Sequence, residues 1–197
     1  MELRGGPAPM GPLAAGRVAG PPPDLPNIYT DGSVQQAASG GAFFAGAAAV
    51  ALSPGGGRPT PHADALADYA RVEHISATTV ATAVMPGLQC SSTRTEAAAL
   101  LLGLLWQVPA HLATDSAAAI SRLDDALRHV PRAGPRPWAF WGTRRDGDLW
   151  QAIEGLLAAR GCDGVRVSKV KGHATAGDVE AGRATARDRA GNDQADG

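Results

Sequence analysis

Three carboxylates in this sequence stand where regular elements would begin or end. They are Asp31 in "NIYTDGSVQQ", Glu96 in "STRTEAAALLLGL" and Asp115 in "HLATDS". Carboxylates that face one another repel unless cations lie between them. A set of hard oxygen donors with no thiolate or imidazole partner reads as a Mg2+ or Mn2+ site that keeps some of its waters. Two such ions about 4 Å apart suit phosphodiester hydrolysis, one activating water and the other stabilising the leaving oxygen. Each acid also has a plainer role on its own. Asp31 before Gly32 reads as a turn residue. Glu96, three residues after Thr93, reads as a capping-box carboxylate, and Asp115 before Ser116 as an N-cap. Only their joint placement favours chemistry.

The elements around them must therefore bring three distant segments to one edge. "NIYTDGS" reads as a first strand with Asp31 at its end, and "GGAFFAGAAAVALS" as a second after a Gly-rich turn. A loop, "SPGGGRPTP", precedes a β-branched third strand, "VEHISATTVATAVM". These three form an antiparallel meander. "SSTRTEAAALLLGLLWQV" is then a helix capped by Ser92 or Thr93 and stopped by Pro109. "AHLATDS" is a buried strand, "SAAAISRLDDALRHV" a helix, "GDLWQAIEGLLAARG" a helix closed by Gly161, and "GVRVSKVKGH" a fifth strand. The expected class is α/β: a five-stranded mixed sheet, its first three strands antiparallel, flanked by helices. Open sheets of this kind place ligands in the crevice beyond the strand ends.

Bulk properties set limits. The 197 residues are 44% hydrophobic and 19% charged, enough for one globular domain with a real core. The net charge of −1 gives no global basic signature, so a nucleic-acid partner must be held by local patches. Cys90 and Cys162 make no framework, which suits a reducing, intracellular compartment. No membrane-spanning run and no secretory signal is visible. Residues 1–26 are rich in Gly, Pro and Ala and read as a disordered arm, with the folded domain over 27–197.

The blocks "YTDGS", "TRTEAAALLLGL", "LATDS", "VKGHA" and "GNDQAD" occur in this order on the expected elements. Together they make the chain resemble the ribonuclease H family, in its type 1, cellular-like form, over about residues 27–196. The resemblance implies a βββαβαβα fold and cleavage of the RNA strand of an RNA–DNA hybrid. It implies a two-ion Mg2+ centre, with Mn2+ able to substitute, held by Asp31, Glu96, Asp115 and Asp196. It makes His173 a mobile proton carrier near pH 7. It places Gly32 and Ser33 beside the substrate backbone, and Ser91, Ser92, Thr93 and Arg94 against ribose 2′-hydroxyls.

A second binding region is expected in "RHVPRAGPRPWAFWGTRRDGDLW". Arg136, Arg144 and Arg145 would pair with phosphates, while Trp138 and Trp141 would stack on the DNA strand or, in the plainer reading, anchor a loop. Two departures from the family pattern matter. The stretch between His173 and Asp196 is long, with a short helix expected over Asp178–Arg189. Asp196 is followed only by Gly197, so the family's C-terminal helix would be missing and Asp196 would lie in a frayed tail. That pattern suits a monomeric piece of a larger, mobile-element polyprotein. It also suits a degenerate domain that binds hybrid, or packs against a reverse transcriptase, without cutting.

Overall fold

Ten consecutive residues of the first long helix, Thr95 to Leu104, are buried, and every one from Ala97 on is Ala, Leu or Gly. A helix that is apolar all round must be covered on all sides. In the computed structural model, which describes residues 16–36, 43–52, 71–75, 78–84 and 91–196, this helix lies between a sheet and a second layer of helices. It is α1, Ser92–Leu104. The expected Gly-rich turn after the first strand, the loop over "SPGGGRPTP", Cys90 and the first fifteen residues of the arm lie outside the described residues.

The sheet is mixed, in the order β3-β4-β2-β1-β5-β6. Its strands are β1 (Ile28–Gln36), β2 (Phe43–Leu52), β3 (Arg71–Ile75), β4 (Thr78–Val84), β5 (Ala110–Thr114) and β6 (Val165–Lys169). β1, β2 and β4 pair antiparallel, and β5 and β6 add on parallel. This is the expected arrangement with one refinement. The long third segment folds back on itself, so that β3 pairs antiparallel with β4 and becomes an outer sixth strand.

Strand alternation sorts the core. Ile28, Ala49 and Leu112 face α1, α2 (Ala117–Ala133) and α4 (Gly147–Arg160), which hold most of the buried apolar residues. Tyr29, Val50 and Ala113 face the other way and meet Ala195 of α6 (Ala186–Asp196). The sheet thus carries helices on both faces. A short α3, Trp138–Trp141, precedes α4, and α5, Ala176–Glu180, precedes α6. Among the described residues no helix is long and apolar enough to cross a membrane.

Local chemistry explains where elements stop. α1 ends at Leu104, short of Pro109, because the buried guanidinium of Arg160 donates to the carbonyls of Leu104 and Val108. The Leu104 carbonyl is one that a helix end would otherwise leave open. Ser116 caps α2 by accepting from Ala119 N–H at 3.3 Å. Residues 16–26 form no regular element. Val18 N–H donates to Arg160 O, and the carbonyls of Pro23 and Pro26 meet His111 and Arg187.

Asp31 is not at the end of its strand. β1 stays paired with β2 as far as Gln36, whereas its pairing with β5 covers only Ile28 and Tyr29. Beyond that point the two parallel strands part, and the first turn of α1 enters the gap. Gly32 makes this possible, since a Cβ there would fall inside the backbone of Thr95 and Glu96. Gly32→Ala is expected to cost about 2 kcal/mol by overpacking and to lower the melting midpoint by about 4–8 °C. A thermal scan with no change in midpoint would contradict that close approach.

Candidate metal centre

The gap between β1 and β5 is where the carboxylates meet. Tyr29 pairs with Ala113, and Asp31 and Asp115 each follow two residues later, so the same register carries both side chains to the same edge. Glu96, one turn into α1, comes in from the helical layer. Carboxylate oxygens of Asp31, Glu96 and Asp115 all lie within 4.8 Å of one another. Glu96 is buried, Asp31 and Asp115 half-buried. Thr114 Oγ1 donates to Glu96 Oε2 at 3.3 Å, and Gly32 N–H donates to Asp31 Oδ1 at 2.8 Å.

Asp196 joins them from the far side of the sheet. It closes α6 as a helical residue, not as the frayed tail expected, and lies close enough to Asp31 to help raise its pKa. His173 stands beside it, with Nδ1 3.2 Å from Asp196 Oδ2 and its side chain 78% exposed. The expected helix over Asp178–Arg189 is instead two, α5 and α6, joined by a turn at Gly182. Three other acids of this stretch are committed elsewhere. Asp178 pairs with Lys171 and Arg183, Asp188 accepts from Tyr29 Oη, and Asp193 lies 3.6 Å from Arg189.

The electrostatics are those of crowded like charges. Burial, followed by Asp31 and Asp115, raises Glu96 to a pKa of about 8. Burial raises Asp31 to about 6, with Asp115 and Asp196 adding to the effect and the Gly32 amide opposing it. Nearby cations do not relieve the crowding: Lys171 is held by Asp178 and Arg94 by Asp148. An all-oxygen donor set that resists ionisation by itself fits a hard divalent cation.

The sign of the pH effect follows. Both carboxyls hold protons in the folded protein at pH values where the unfolded chain has lost them. Their contribution to stability is complete below the ordinary carboxylate range. It is lost as pH rises through about 6 and then about 8. Metal-free protein is expected to melt lower at pH 8 than at pH 5.5, and Mg2+ to raise the midpoint more at pH 8. Melting scans in chelator and in Mg2+ check this, and a higher metal-free midpoint at pH 8 would contradict it.

Several residues expected to touch substrate are occupied by the fold. Glu96 is not a capping-box acid; Ser91 caps α1, its Oγ accepting from Arg94 N–H at 3.2 Å. Thr93 Oγ1 donates to Asp146 at 3.0 Å, and Arg94 makes a two-pronged pair with Asp148 at 2.8 and 2.7 Å. Arg136 is half-buried, ion-paired with the buried Glu154, bonded also to Asp125 at 2.6 Å, and stacked near Phe140 and Trp141. Trp141 is buried, with Nε1–H donating to Glu154 at 3.2 Å. These contacts anchor the basic loop to α4. Ser33, Ser92, Trp138, Arg144 and Arg145 remain exposed, Arg144 lying over the Phe140 ring at 3.9 Å.

Two contributors were missed from the sequence. Thr114 supplies the hydroxyl on Glu96, and Tyr29 ties α6 to β1 through Asp188 at 2.8 Å. The i, i+2 spacing of Tyr29 and Asp31 was the available signal, since it puts both on one face of β1.

No family model and no curated relative matches the sequence. Among solved structures, the solution structure of the PFV RNase H domain is similar, with a TM-score of 0.51 and 16% sequence identity, over 86% of this chain and 88% of that one. The fold is ribonuclease H-like. Within that fold, the four acids arise from β1, α1, the end of β5 and the last turn of α6.

Proposed function

We propose that the protein is a metal-dependent endonuclease that hydrolyses the RNA strand of RNA–DNA hybrids. The observation that carries this reading is the convergence of Asp31, Glu96 and Asp115 at the parting of β1 and β5, with Asp196 beside them. These four residues would hold two Mg2+ ions, which supply an activated water and charge stabilisation of the leaving oxygen when bound. The likeness to an RNase H domain supports the reading at the level of fold.

The chain's own groups divide the remaining work. Thr114 and Gly32 fix the Glu96 and Asp31 carboxylates by hydrogen bonds. His173 presents its ring to solvent with Nδ1 toward Asp196, which leaves Nε2 free to meet substrate or water at the edge of the cluster. The ties from Thr93 and Arg94 to Asp146 and Asp148 join the first turn of α1 to the first turn of α4. They fix the loop bearing Trp138, Arg144 and Arg145 relative to Glu96. That loop would grip the hybrid's backbone, and each phosphate contact would add to the salt dependence of binding.

The test is cleavage of hybrid labelled in its RNA strand, compared with DNA duplex and RNA duplex, in Mg2+, in Mn2+ and in chelator. The expected result is metal-dependent cutting of the hybrid alone, with 3′-hydroxyl and 5′-phosphate ends, lost in Asp115→Asn. Equal cleavage by wild type and Asp115→Asn would sink the assignment. Hybrid binding without cleavage in either metal would favour a degenerate binding domain instead.

A further inference from the structure

We propose that Asp178 is a positioning residue that holds His173 over the carboxylate cluster, an inference that rests on the nuclease reading above. Asp178 is 4% exposed, in the first turn of α5. Its Oδ2 accepts from Thr175 N–H at 2.9 Å and from Thr175 Oγ1 at 2.8 Å, and lies 2.9 Å from Lys171 Nζ. Its Oδ1 accepts from Arg183 Nε at 2.8 Å. Lys171 and Thr175 stand two residues before and two residues after His173. One carboxylate therefore closes residues 171–178 into a loop with His173 at its apex.

The apex needs such a closure. His173 has φ 47°, a left-handed conformation that a side chain bearing a Cβ adopts only when its surroundings impose it. Its ring is mostly exposed, so packing does not fix it. Gly172 just before it sits so close to Asp115 that a Cβ would overlap the carboxylate, which seats the loop on the metal-binding edge. A helix cap alone would account for the bonds to Thr175 but not for Lys171 and Arg183, which tie the incoming and outgoing chain to the same acid.

The test compares wild type, Asp178→Ala, His173→Ala and the double variant in steady-state cleavage of the labelled hybrid with Mg2+. Loss of a group that orients a reacting residue typically costs about 10–100-fold. Asp178→Ala is expected to lower kcat in that range and to leave KM unchanged. The double variant should be no slower than His173→Ala. Multiplying losses, or an unchanged kcat in Asp178→Ala, would overturn the proposal.

A second readout does not depend on cleavage. The 15N heteronuclear NOE of Gly172 and His173 should fall in Asp178→Ala while that of Thr114 stays as in wild type. An unchanged NOE would overturn the clamp. Wild type that never cuts hybrid would instead defeat the nuclease reading, leaving the NOE to decide the clamp. Should Asp178→Ala fail to fold, Lys171→Met removes one tie and keeps the cap. It should shift kcat and NOE in the same directions by less, and no shift in either would count against the proposal.

Discussion

Asp31→Asn is expected to reduce hybrid cleavage at least about a thousandfold while making the metal-free protein harder to melt at pH 8. The two effects have one origin. Asp31 shares the edge with Glu96, Asp115 and Asp196, and its charge is disfavoured by burial and by Asp115 and Asp196. An amide of the same shape removes one negative charge from that crowd. The folded state without metal then loses a repulsion, and its midpoint rises. The same change removes a ligand from the centre. Losing about 4 kcal/mol of transition-state charge stabilisation corresponds to about a thousandfold in kcat. Mg2+ should no longer raise the melting midpoint as it does in wild type. Retention of more than a tenth of the activity, or a lower metal-free midpoint, would defeat the assignment of Asp31 as a ligand.

The second large effect lies away from the centre. Glu154→Ala is expected to cost about 3–5 kcal/mol, because it leaves the half-buried guanidinium of Arg136 without its buried partner and Trp141 Nε1 without its acceptor. At about 2–4 °C per kcal/mol, the midpoint should fall by about 6–20 °C. Asp125→Ala, which removes the exposed partner of the same arginine, should cost less than about 1 kcal/mol. Replacing Arg136 and Glu154 together by Met and Leu should recover much of the loss, since an apolar pair leaves no uncompensated charge. Equal midpoints for Glu154→Ala and Asp125→Ala would show that the buried pair is not what holds the loop. Hybrid affinity gives a further contrast. Arg144→Ala should weaken binding and flatten its salt dependence with little change in stability.

The three acids of the strand edge and the helix start were readable because their types and spacing admit few chemistries. The mixed sheet was readable because β-branched and apolar runs separate cleanly from the Ala- and Leu-rich helices. Other features were not, for identifiable reasons. The segment from Arg71 to Val84 holds no Gly or Pro to mark a reversal, so two strands looked like one. β1 continues past Asp31 because β2 pairs with it beyond the point where β5 leaves, and pairing between distant segments is invisible locally. The partner of Arg136 was hidden because a sequence shows an arginine's charge and not what it pairs with. The clue was Glu154, a lone acid on the otherwise apolar stretch "AIEGLLAA" of α4, which a cation had to answer. The helical setting of Asp196 depends on the packing of α6 against Tyr29, which no local pattern announces.

The bond from Tyr29 to Asp188 spans 159 positions, and the same docking brings Asp196 to Asp31. A chain is made from its N-terminus at about 5–20 residues per second, so roughly 10–30 s separate the synthesis of these two halves of the centre. The growing chain can pair β1 with β2 and lay α1 across them during that interval. It cannot complete the four-acid cluster. The four-acid centre therefore assembles only after Asp196 has been made, and the topology itself sets the delay between its first acid and its last.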